Sequence, residues 1–287
     1  MLIDGSTRIV GVFGHPIEHT ASPAMHNAAF DHLGLNWRYL AFDVHPDDLR
    51  GALRGICDLH FTGINLTVPH KLLALKIVDS MDKEAQRLGA VNTVVVDDRQ
   101  LMGFNTDGYG FKRAVREEFG MELRGRRVLL LGAGGAGRAL AVQCAVEGAA
   151  AIFIINRTRS KAVSIVEEIR KVAPRAFAVA MPTEPAHIAK HLNEVDLVVN
   201  ATSLGLRPDD PLPLAKFPRQ CKWLHVYDTI YRPAETRFLA AARKAGAQTA
   251  NGLSMLLHQG ARAFEIWTGR RAPVAVMRRA LHKAVYG

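Results

Sequence analysis

The chain has 287 residues, with 37 Lys+Arg against 27 Asp+Glu, and its formal net charge is +10 when histidine is counted as neutral. At about 150 residues per domain this length predicts two domains, and the content of 48% apolar and 22% charged residues excludes a disordered or collagen-like chain. No apolar run approaches the roughly 20 residues of a membrane-spanning helix, and the N-terminus lacks the features of a signal peptide, so we expect a cytosolic protein.

Short β-rich runs alternate with helical patterns over residues 1–100. The predicted order is strand 8–13, helix 22–33, strand 37–44, helix 46–57 and strand 61–65. Ser22-Pro23 is a favourable helix start, because serine can cap a helix and proline is tolerated in its first turn, and Gly34 is typical of a helix end. Such alternation predicts an α/β layer structure.

A second α/β region begins near residue 126, where the run RRVLLLG predicts a buried parallel strand. The elements predicted after it are helix 136–147, strand 151–155, helix 160–172, strand 196–201, strand 223–227 and helix 234–245, with a proline-rich loop over 204–218. Two further helices, 254–267 and 273–286, end the chain, and by pattern alone they could pack on either domain.

The string GAGGAG matches the GxGxxG pattern directly after a predicted buried strand and directly before a predicted helix. In that position the first glycine permits a tight turn, the second lets the backbone approach a pyrophosphate, and the third allows close packing of helix on strand. The residues predicted to bind a dinucleotide are therefore Gly132, Ala133, Gly134, Gly135, Ala136 and Gly137.

The strand after this loop is predicted to end at Ile155, where an NAD-binding domain usually places Asp or Glu to bind the ribose 2′-hydroxyl. This chain instead reads Asn156-Arg157-Thr158, with Lys161 following. There is no carboxylate at this position to repel a 2′-phosphate, and the cations of Arg157 and Lys161 would attract one. The sequence therefore predicts NADP in preference to NAD, with a solvated loop arginine as the alternative reading of Arg157.

Small polar side chains gather at the predicted strand ends of the first domain, in the strings HTASP, NLTVPHK, AVNT and NTDG. Lys71 and Asp107 form the evident acid/base pair among them, and the hydroxyls and amides suit a substrate with hydroxyl and carboxylate groups. Structural alternatives exist, because Ser22 and Asp107 could cap helices and Lys71 could be a solvated cation. His70, beside Lys71, is expected to point into solvent.

Nine strings along the chain resemble the shikimate dehydrogenase family in order and spacing. They are GHPIEHTASPAMHNAAF, NLTVPHK, GAVNTV, GFNTDGYGF, GAGGAGRA, NRTRSKA, NATSLG, YDTIYRP and NGLSMLLHQGARAFEIWTG, and they extend over nearly the whole chain. The resemblance implies an α/β fold of two domains: an N-terminal substrate domain over 1–106, completed by the C-terminal helices of 254–287, and a Rossmann-type NADP-binding domain over 107–253.

The resemblance also implies a reversible hydride transfer between NADP(H) and 3-dehydroshikimate or shikimate, in chorismate and aromatic amino acid biosynthesis. The shikimate hydroxyl must lose a proton as its carbon loses a hydride, so a base must lie within hydrogen-bond reach. Lys71 is favoured for that role and Asp107 for orienting the same end of the substrate. Which of the two carries the proton stays open, because a close lysine and aspartate titrate as a pair.

Binding residues for both ligands follow from the same resemblance. For the substrate it implies Thr20 and Ser22 at the carboxylate, Asn65, Thr67, Asn92 and Gln259 at the ring hydroxyls, and Tyr231 as a further contact. For the cofactor it implies Thr202, Ser203, Thr229, Gly252 and Met255 near the nicotinamide, besides the glycine loop and Asn156, Arg157, Thr158 and Lys161.

Some positions depart from the family pattern. Thr20 stands where most members carry serine, which adds a methyl group beside the predicted carboxylate site, and Leu66 stands within the usual NVT string. The loop LGLRPDDPLPL is longer and more acidic than the commonest version. These departures leave open a paralogue that acts on quinate or on a shikimate analogue such as aminoshikimate.

The remaining composition bears on partners. The three cysteines are far apart without a CxxC pair, and the twelve histidines lack ligand spacing, so neither disulfides nor a metal site is expected. Basic residues are scattered, which disfavours nucleic-acid binding. We expect a small-molecule substrate, no membrane partner and a homodimer. A non-catalytic NADP- or nucleic-acid-binding protein is the alternative of a different class.

Overall fold

The computed structural model describes residues 3–214 and 216–287, and within it the chain divides into two units. The first unit comprises residues up to 110 together with residues 256–287, and the second comprises residues 111–255. The boundaries fall inside two helices, Asp107–Phe119 and Leu253–Thr268. Among the described residues, no helix is long and apolar enough to cross a membrane.

The first unit begins with alternating strands and helices. Its elements are β1 (Arg8–Gly14), α1 (Ser22–His32), β2 (Trp37–Asp43), α2 (Leu49–Asp58), β3 (Gly63–Leu66), α3 (His70–Leu73), β4 (Ser80–Met81), α4 (Lys83–Leu88), β5 (Thr93–Asp97), β6 (Gln100–Phe104) and the start of α5 (Asp107–Phe119). The end of α10 (Leu253–Thr268) and α11 (Val274–Tyr286) complete it.

The strands of this unit form one mixed sheet in the order β2-β1-β3-β5-β6-β4. Strands β2, β1 and β3 are parallel, whereas β5 is antiparallel to both β3 and β6. An antiparallel strand begins at the edge where its neighbours end. The carboxyl ends of β1, β3 and β6 and the start of β5 therefore lie along one edge of the sheet.

Apolar side chains cover both faces of this sheet, because successive residues of a strand point to opposite sides. One face carries a core built around α2, whose members include Phe13, Leu49, Leu53, Ile56, Ile64, Leu66, Val94 and Leu101. On the other face, rings of the N-terminal and C-terminal helices pack together: Phe30 lies 5.2 Å from Phe264 between ring centroids, and α1 packs against α11.

Helix α10 is fixed to this sheet through Trp267. Its indole Nε1 donates to the carbonyl oxygen of Val94 on β5 at 3.0 Å. A Cβ at Gly63 would overlap both that carbonyl oxygen and the indole ring, so only glycine permits this approach. The C-terminal helices thus return to the first unit, as the family resemblance implies.

The second unit is a parallel α/β structure. Its elements are the rest of α5, β7 (Arg127–Leu131), α6 (Gly135–Val146), β8 (Ala151–Ile155), α7 (Arg159–Val172), β9 (Ala178–Ala180), α8 (Pro185–Leu192), β10 (Leu197–Asn200), β11 (His225–Asp228), α9 (Arg237–Lys244) and β12 (Gln248–Ala250).

Strand order identifies the second sheet. It runs β12-β11-β10-β7-β8-β9, and its pairings are parallel. Read from the β9 end and numbered within the unit, this is the order third, second, first, fourth, fifth, sixth, which is that of the doubly wound dinucleotide-binding fold. The chain reverses direction across the sheet between β7 and β10, and ligands of such sheets bind at that point. The predicted fold class is confirmed.

Several predicted element boundaries are wrong by a few residues, for local reasons. Helix α1 begins at Ser22 itself, and the residue before it, Ala21, makes no side-chain cap, so Ser22 does not have the predicted capping role. Helix α9 begins at Arg237 instead of 234, because the hydroxyl of Thr236 accepts from the N–H of Leu239 and caps it there. Gly34, with φ +64°, ends the first helix as predicted.

A buried histidine lies inside the aromatic face of the first unit. The ring of His26 is 0% exposed and stacks on the ring of Tyr39 at 4.3 Å between centroids. Within the described part of the chain, neither ring nitrogen has a hydrogen-bond partner. Because burial without a partner disfavours the charged imidazolium, the pKa of His26 is lowered from 6.5 to about 3.

Because His26 is buried, we expect acid to lower the free energy of unfolding in part through this residue, and His26→Phe to remove that part. The unfolded chain binds a proton at His26 below its pKa of 6.5 and the folded chain does not until about 3, so stability is full above 6.5 and declines as the pH falls. From about pH 6 to about pH 4 the free energy of unfolding should fall by about 1.4 kcal/mol per pH unit more in the wild type than in His26→Phe. Urea unfolding across this range measures it, and equal slopes would contradict the assignment.

Candidate functional site

The predicted substrate residues of the first unit converge on one edge of its sheet. Thr20 and Ser22 follow β1, Lys71 follows β3, Asn92 directly precedes β5, and Asp107 follows β6. Because those strand ends are neighbours, residues far apart in the chain come together there. The chain leaves β1 toward β2 on one side and continues from β3 on the other, and ligands of α/β sheets bind at such a reversal.

Lys71 and Asp107 form an ion pair at this edge. The Lys71 Nζ donates to Asp107 Oδ2 at 2.6 Å, and the side chains are 21% and 7% exposed. Asp107 is the first residue of α5, where the helix dipole favours a carboxylate, and its N–H donates to Asn105 Oδ1 at 2.9 Å. An amine and a carboxylate in contact at a ligand-binding edge can transfer and hold a proton.

Asn92 organises the groups around that pair. Its Nδ2 donates to Asp107 Oδ1 at 3.0 Å and to Thr106 Oγ1 at 2.9 Å, while its Oδ1 accepts from the N–H of Thr106 at 2.8 Å. Gln259, from α10, brings its Oε1 within 3.4 Å of the same Nδ2. The structure therefore places three predicted site residues of different strings, Asn92, Asp107 and Gln259, in one connected group with Lys71.

Asn65 joins this group, and most of its hydrogen-bonding capacity is used inside the protein. Its Oδ1 accepts from the Tyr39 hydroxyl at 2.8 Å, and its Nδ2 donates to Asn92 O at 3.1 Å and to Thr93 Oγ1 at 2.9 Å. Both amide hydrogens are thereby donated to protein atoms. One lone pair of Oδ1 is what Asn65 retains for a further partner.

Hydroxyl groups line the ends of β1 and β3. The Thr20 hydroxyl accepts from the N–H of Ser22 at 3.4 Å, and Ser22 begins α1, whose N-terminus favours an anion. Thr67 follows β3 and its N–H donates to the carbonyl of Phe13 on β1 at 3.0 Å, which sets it beside the end of that strand. Tyr231, the remaining predicted substrate residue, belongs to the second unit, after β11.

His70 does not point into solvent as predicted. It is 0% exposed at the start of α3. Burial lowers the pKa of its imidazole, an effect that the backbone carbonyls of Val44 and Gly14 partly offset. The prediction was wrong because His70 packs inward against the ends of β1 and β2 while its neighbour Lys71 turns toward Asp107.

The glycine loop of the second unit has the geometry of a phosphate cradle. Gly132 has φ +106°, and an added Cβ would lie 2.8 Å from the carbonyl oxygen of Ala201. A Cβ at Gly137 would overlap the carbonyl oxygen of Gly132, so α6 packs directly on the turn. At Gly134, in contrast, a Cβ would meet no described atom within 4 Å. That open position, at the N-terminus of α6, fits the pyrophosphate of a dinucleotide.

The segment after β8 fits a 2′-phosphate. Arg157, Thr158 and Lys161 are exposed, and among the described residues neither Arg157 nor Lys161 is in an ion pair. Arg159, which begins α7 and is exposed too, adds a cation that the sequence reading did not single out. Asn156 has a different position, because its Oδ1 accepts from the N–H of Ala133 at 3.0 Å and its Nδ2 donates to Thr158 O at 2.8 Å.

Asp228 and Asn200 are two buried residues that the sequence did not single out, and they hold the segments that carry the predicted nicotinamide neighbours. Asp228 accepts from Asn200 Nδ2 at 2.9 Å and from Thr236 Oγ1 at 2.7 Å, and burial raises its pKa to about 6. Asn200 Oδ1 in turn accepts from the Thr202 hydroxyl at 2.7 Å. The strings NATSLG and YDTIYRP contain both residues, which was the available signal.

The other predicted nicotinamide neighbours lie around this network. The N–H of Thr229 donates to the carbonyl oxygen of Asn200 at 2.9 Å, directly after β11. A Cβ at Gly252 would overlap the Thr229 carbonyl oxygen, so glycine permits the two segments to meet. Ser203 is exposed after β10, and Met255 is half-buried in α10.

Three sequence profiles match the chain. The profile described as "Shikimate dehydrogenase substrate binding domain" matches residues 12–94, "Shikimate / quinate 5-dehydrogenase" matches residues 113–205, and "Shikimate 5'-dehydrogenase C-terminal domain" matches residues 252–282. Together these segments span well over half of the chain.

Similar proteins match over almost their full length. Shikimate dehydrogenase (NADP(+)) of Methanopyrus kandleri is 48% identical over 281 residues, 97% of this chain and 96% of the relative. Shikimate 5-dehydrogenase of Thermus thermophilus, solved in complex with NADP(H) and shikimate, is 39% identical with a TM-score of 0.85, covering 96% and 99% of the two chains. Quinate dehydrogenase of Corynebacterium glutamicum, solved with NAD, is 30% identical with a TM-score of 0.85, covering 96% and 99%.

The glycine loop generates a paired prediction. In Gly134→Ala the methyl group enters open space at an ordinary backbone conformation, φ −80°, so the fold should be retained while NADP+ affinity falls by about tenfold. In Gly137→Ala the methyl group overlaps Gly132, so the free energy of unfolding should fall by about 1–3 kcal/mol. Calorimetric titration with NADP+ and urea unfolding separate the two effects, and undiminished NADP+ binding by Gly134→Ala would refute the cradle.

Proposed function

The chain belongs to the shikimate dehydrogenase family, and we propose that it catalyses the reversible, NADP-dependent reduction of 3-dehydroshikimate to shikimate in aromatic amino acid biosynthesis. The observation that carries this proposal is the 2.6 Å contact between Lys71 Nζ and Asp107 Oδ2 at a sheet edge lined with hydroxyl and amide groups. The same chain carries a glycine loop and a cationic segment suited to NADP.

In the oxidation direction the substrate hydroxyl loses its proton while its carbon loses a hydride. NADP+ supplies the hydride acceptor when bound. The Lys71 amine is the proposed proton acceptor: its Nζ passes a proton to Asp107 Oδ2, which it contacts at 2.6 Å, and the neutral amine then takes the proton of the substrate hydroxyl. Asp107, fixed through its other oxygen by Asn92, orients the amine and the reacting hydroxyl together.

Recognition of the substrate divides between its two ends. Thr20 and Ser22 are the proposed carboxylate contacts, because their hydroxyls and the N-terminus of α1 offer donors beside an anion. The proposed contacts of the ring hydroxyls are Asn65, through the remaining lone pair of its Oδ1, and Thr67, Asn92 and Gln259, since they lie at the edge that bears Lys71. Tyr231 is proposed as a further contact from the second unit.

For the cofactor we propose contacts along the second sheet's ligand-binding edge. The glycine loop 132–137 is the proposed pyrophosphate site, with Arg157, Thr158 and Lys161 at the 2′-phosphate. At the nicotinamide we propose Thr202, Ser203, Thr229, Gly252 and Met255. Asn156 contributes by bridging the loop to the 2′-phosphate segment.

A quinate-oxidising activity is the second candidate, and Thr20 is the observation that favours it. Quinate carries a hydroxyl on the carbon that bears its carboxylate, which shikimate lacks, so the methyl group of Thr20 bears on the discrimination between the two. The similar quinate dehydrogenase of Corynebacterium glutamicum supports this candidate. A cytosolic location and a homodimer complete the proposal.

The proposal is tested by NADP+ reduction with shikimate and with quinate. The wild type should reduce NADP+ with shikimate, and Lys71→Ala should lose at least about a thousandfold in kcat because it lacks the base. It should stay folded, with some loss of thermal stability because Asp107 is left without its ion-pair partner. Lys76→Ala, which removes an exposed lysine nearby, is the matched control and should stay near wild type. Preference for quinate would move the assignment to the second candidate, and no turnover of either would overturn both.

Cofactor choice is tested separately. Arg157→Ala should raise KM for NADP+ by about tenfold and leave KM for NAD+ unchanged, because the proposed partner of the guanidinium is the 2′-phosphate, which NAD+ lacks. Arg175→Ala removes an exposed arginine of the same unit and should change neither value. Equal rises in KM for both cofactors in Arg157→Ala would contradict the assignment.

A further inference from the structure

We propose that Tyr39 is a positioning residue for Asp107, and that it acts through a chain of buried hydrogen bonds formed by Asn65, Thr93 and Asn92. Tyr39 lies on β2, at the far edge of the sheet from β6, whose end leads into Asp107. No string of the sequence links it to the acid/base pair. The proposal deepens the proposed function, on which its catalytic readout rests.

The chain consists of four hydrogen bonds in series. The Tyr39 hydroxyl donates to Asn65 Oδ1 at 2.8 Å, and Asn65 Nδ2 donates to Thr93 Oγ1 at 2.9 Å. Thr93 Oγ1 donates to Asn92 Oδ1 at 3.1 Å, and Asn92 Nδ2 donates to Asp107 Oδ1 at 3.0 Å. The series therefore runs without a gap from a tyrosine hydroxyl to the carboxylate that holds Lys71.

All four donors point the same way, toward Asp107. In a series of this kind each bond polarises the next, so a donor at the far end strengthens the bond at the near end. The neighbours fix each amide as well: turned over, Asn65 would place its Oδ1 against the carbonyl oxygen of Asn92, and Asn92 would place its Nδ2 against the N–H of Thr106. In this orientation of the two amides, the Tyr39 hydroxyl acts on Asn92 through Asn65 and Thr93.

The members of the chain are shielded from water. Tyr39 and Thr93 are 0% exposed, Asn92 is 1%, Asp107 is 5% and Asn65 is 6%. Where water is excluded, a lost donor is not replaced, and the group that it served stays unsatisfied or turns to another partner. Removal of the Tyr39 hydroxyl should therefore be felt along the chain and not only at Asn65.

Tyr39 is itself held rigidly. Its backbone N–H donates to Asn27 Oδ1 at 2.8 Å and its carbonyl accepts from Asn27 Nδ2 at 2.9 Å, while its ring stacks on His26 with an interplanar angle of 1°. Asn65 and Thr93 are opposite each other in the register of β3 and β5. A side chain fixed at both backbone groups and on its ring face is suited to position others.

The tyrosine end of the chain lies beside the proposed carboxylate site. Burial raises the pKa of Tyr39, and a hydrogen bond from the Ser22 side chain partly offsets that effect. Ser22 is one of the proposed contacts of the substrate carboxylate. The two ends of the substrate site are therefore connected through protein atoms, from Ser22 at one end to Asp107 at the other.

Four variants test the chain. Tyr39→Phe keeps the stacked ring and removes the hydroxyl; Thr93→Val keeps the shape and removes a donor in the middle; Thr93→Ser restores that donor; and the double variant Tyr39→Phe/Thr93→Val breaks the chain twice. Tyr227→Phe is the matched control, because it removes an equally buried tyrosine hydroxyl from the second unit.

We expect Tyr39→Phe and Thr93→Val each to lower kcat for shikimate by about tenfold, the effect of one buried hydrogen bond, with KM for NADP+ unchanged. Thr93→Ser should stay within about twofold of wild type. The double variant should fall no further than the lower single variant, because the bonds act as one series. Tyr227→Phe, which removes a hydroxyl that is no member of the chain, should leave kcat as in the wild type.

A second measurement does not depend on turnover. Hydrogen exchange of the Asn92 side-chain amide, followed by nitrogen-15 NMR, should accelerate by about tenfold in Tyr39→Phe and remain as in wild type in Tyr227→Phe. If the wild type fails to oxidise shikimate, the proposed function is wrong, and this measurement still shows whether Tyr39 acts on Asn92 through the chain of hydrogen bonds. Unchanged exchange at Asn92, multiplied losses in the double variant, or equal losses in Thr93→Ser and Thr93→Val would overturn the proposal.

Discussion

The site of the first unit depends on a largely buried ion pair, formed by Lys71 and Asp107. Removing a lysine and an aspartate from water costs free energy, which their mutual attraction offsets only when the remaining polar atoms are satisfied as well. Asp107 is satisfied by Lys71 on one oxygen, by Asn92 on the other, and by its place at the start of α5. Such an arrangement requires several strand ends at one place, which the mixed sheet provides through the antiparallel strand β5.

The second unit meets a different constraint, which is access of the backbone to phosphate groups. Close packing at Gly132 and Gly137 tightens the turn, while the space above Gly134 stays open. The surrounding polar side chains stiffen this arrangement: Asn156 bridges the glycine loop to the segment after β8, and buried Asp228 holds the loop after β10 through Asn200. The loops at the ligand-binding edge are thus held in place by hydrogen bonds between groups of the protein itself.

Long elements and the glycine loop could be predicted from the sequence, because periodicity and turn chemistry are local properties. Strands β4 and β9 could not, since two or three residues carry no readable pattern, and neither could the antiparallel placement of β5, which depends on distant partners. The inward position of His70 could not be predicted either, because it too depends on residues that are distant in the sequence. Tyr39 lies in no motif, and its contact with Asn65 reaches across β1.

Membership in a motif therefore does not establish contact with a ligand, and counting hydrogen bonds separates the two cases. An asparagine has two amide hydrogens and an oxygen with two lone pairs, so each hydrogen bond that it makes within the protein leaves less of this capacity for a ligand. Asn65, Asn92 and Asn156 use most of this capacity within the protein, whereas Arg157 and Lys161 have no ion-pair partner among the described residues. Motifs of this kind combine residues that bind a ligand with residues that hold the binders in place, and both kinds are needed because a site must be formed before its ligand arrives.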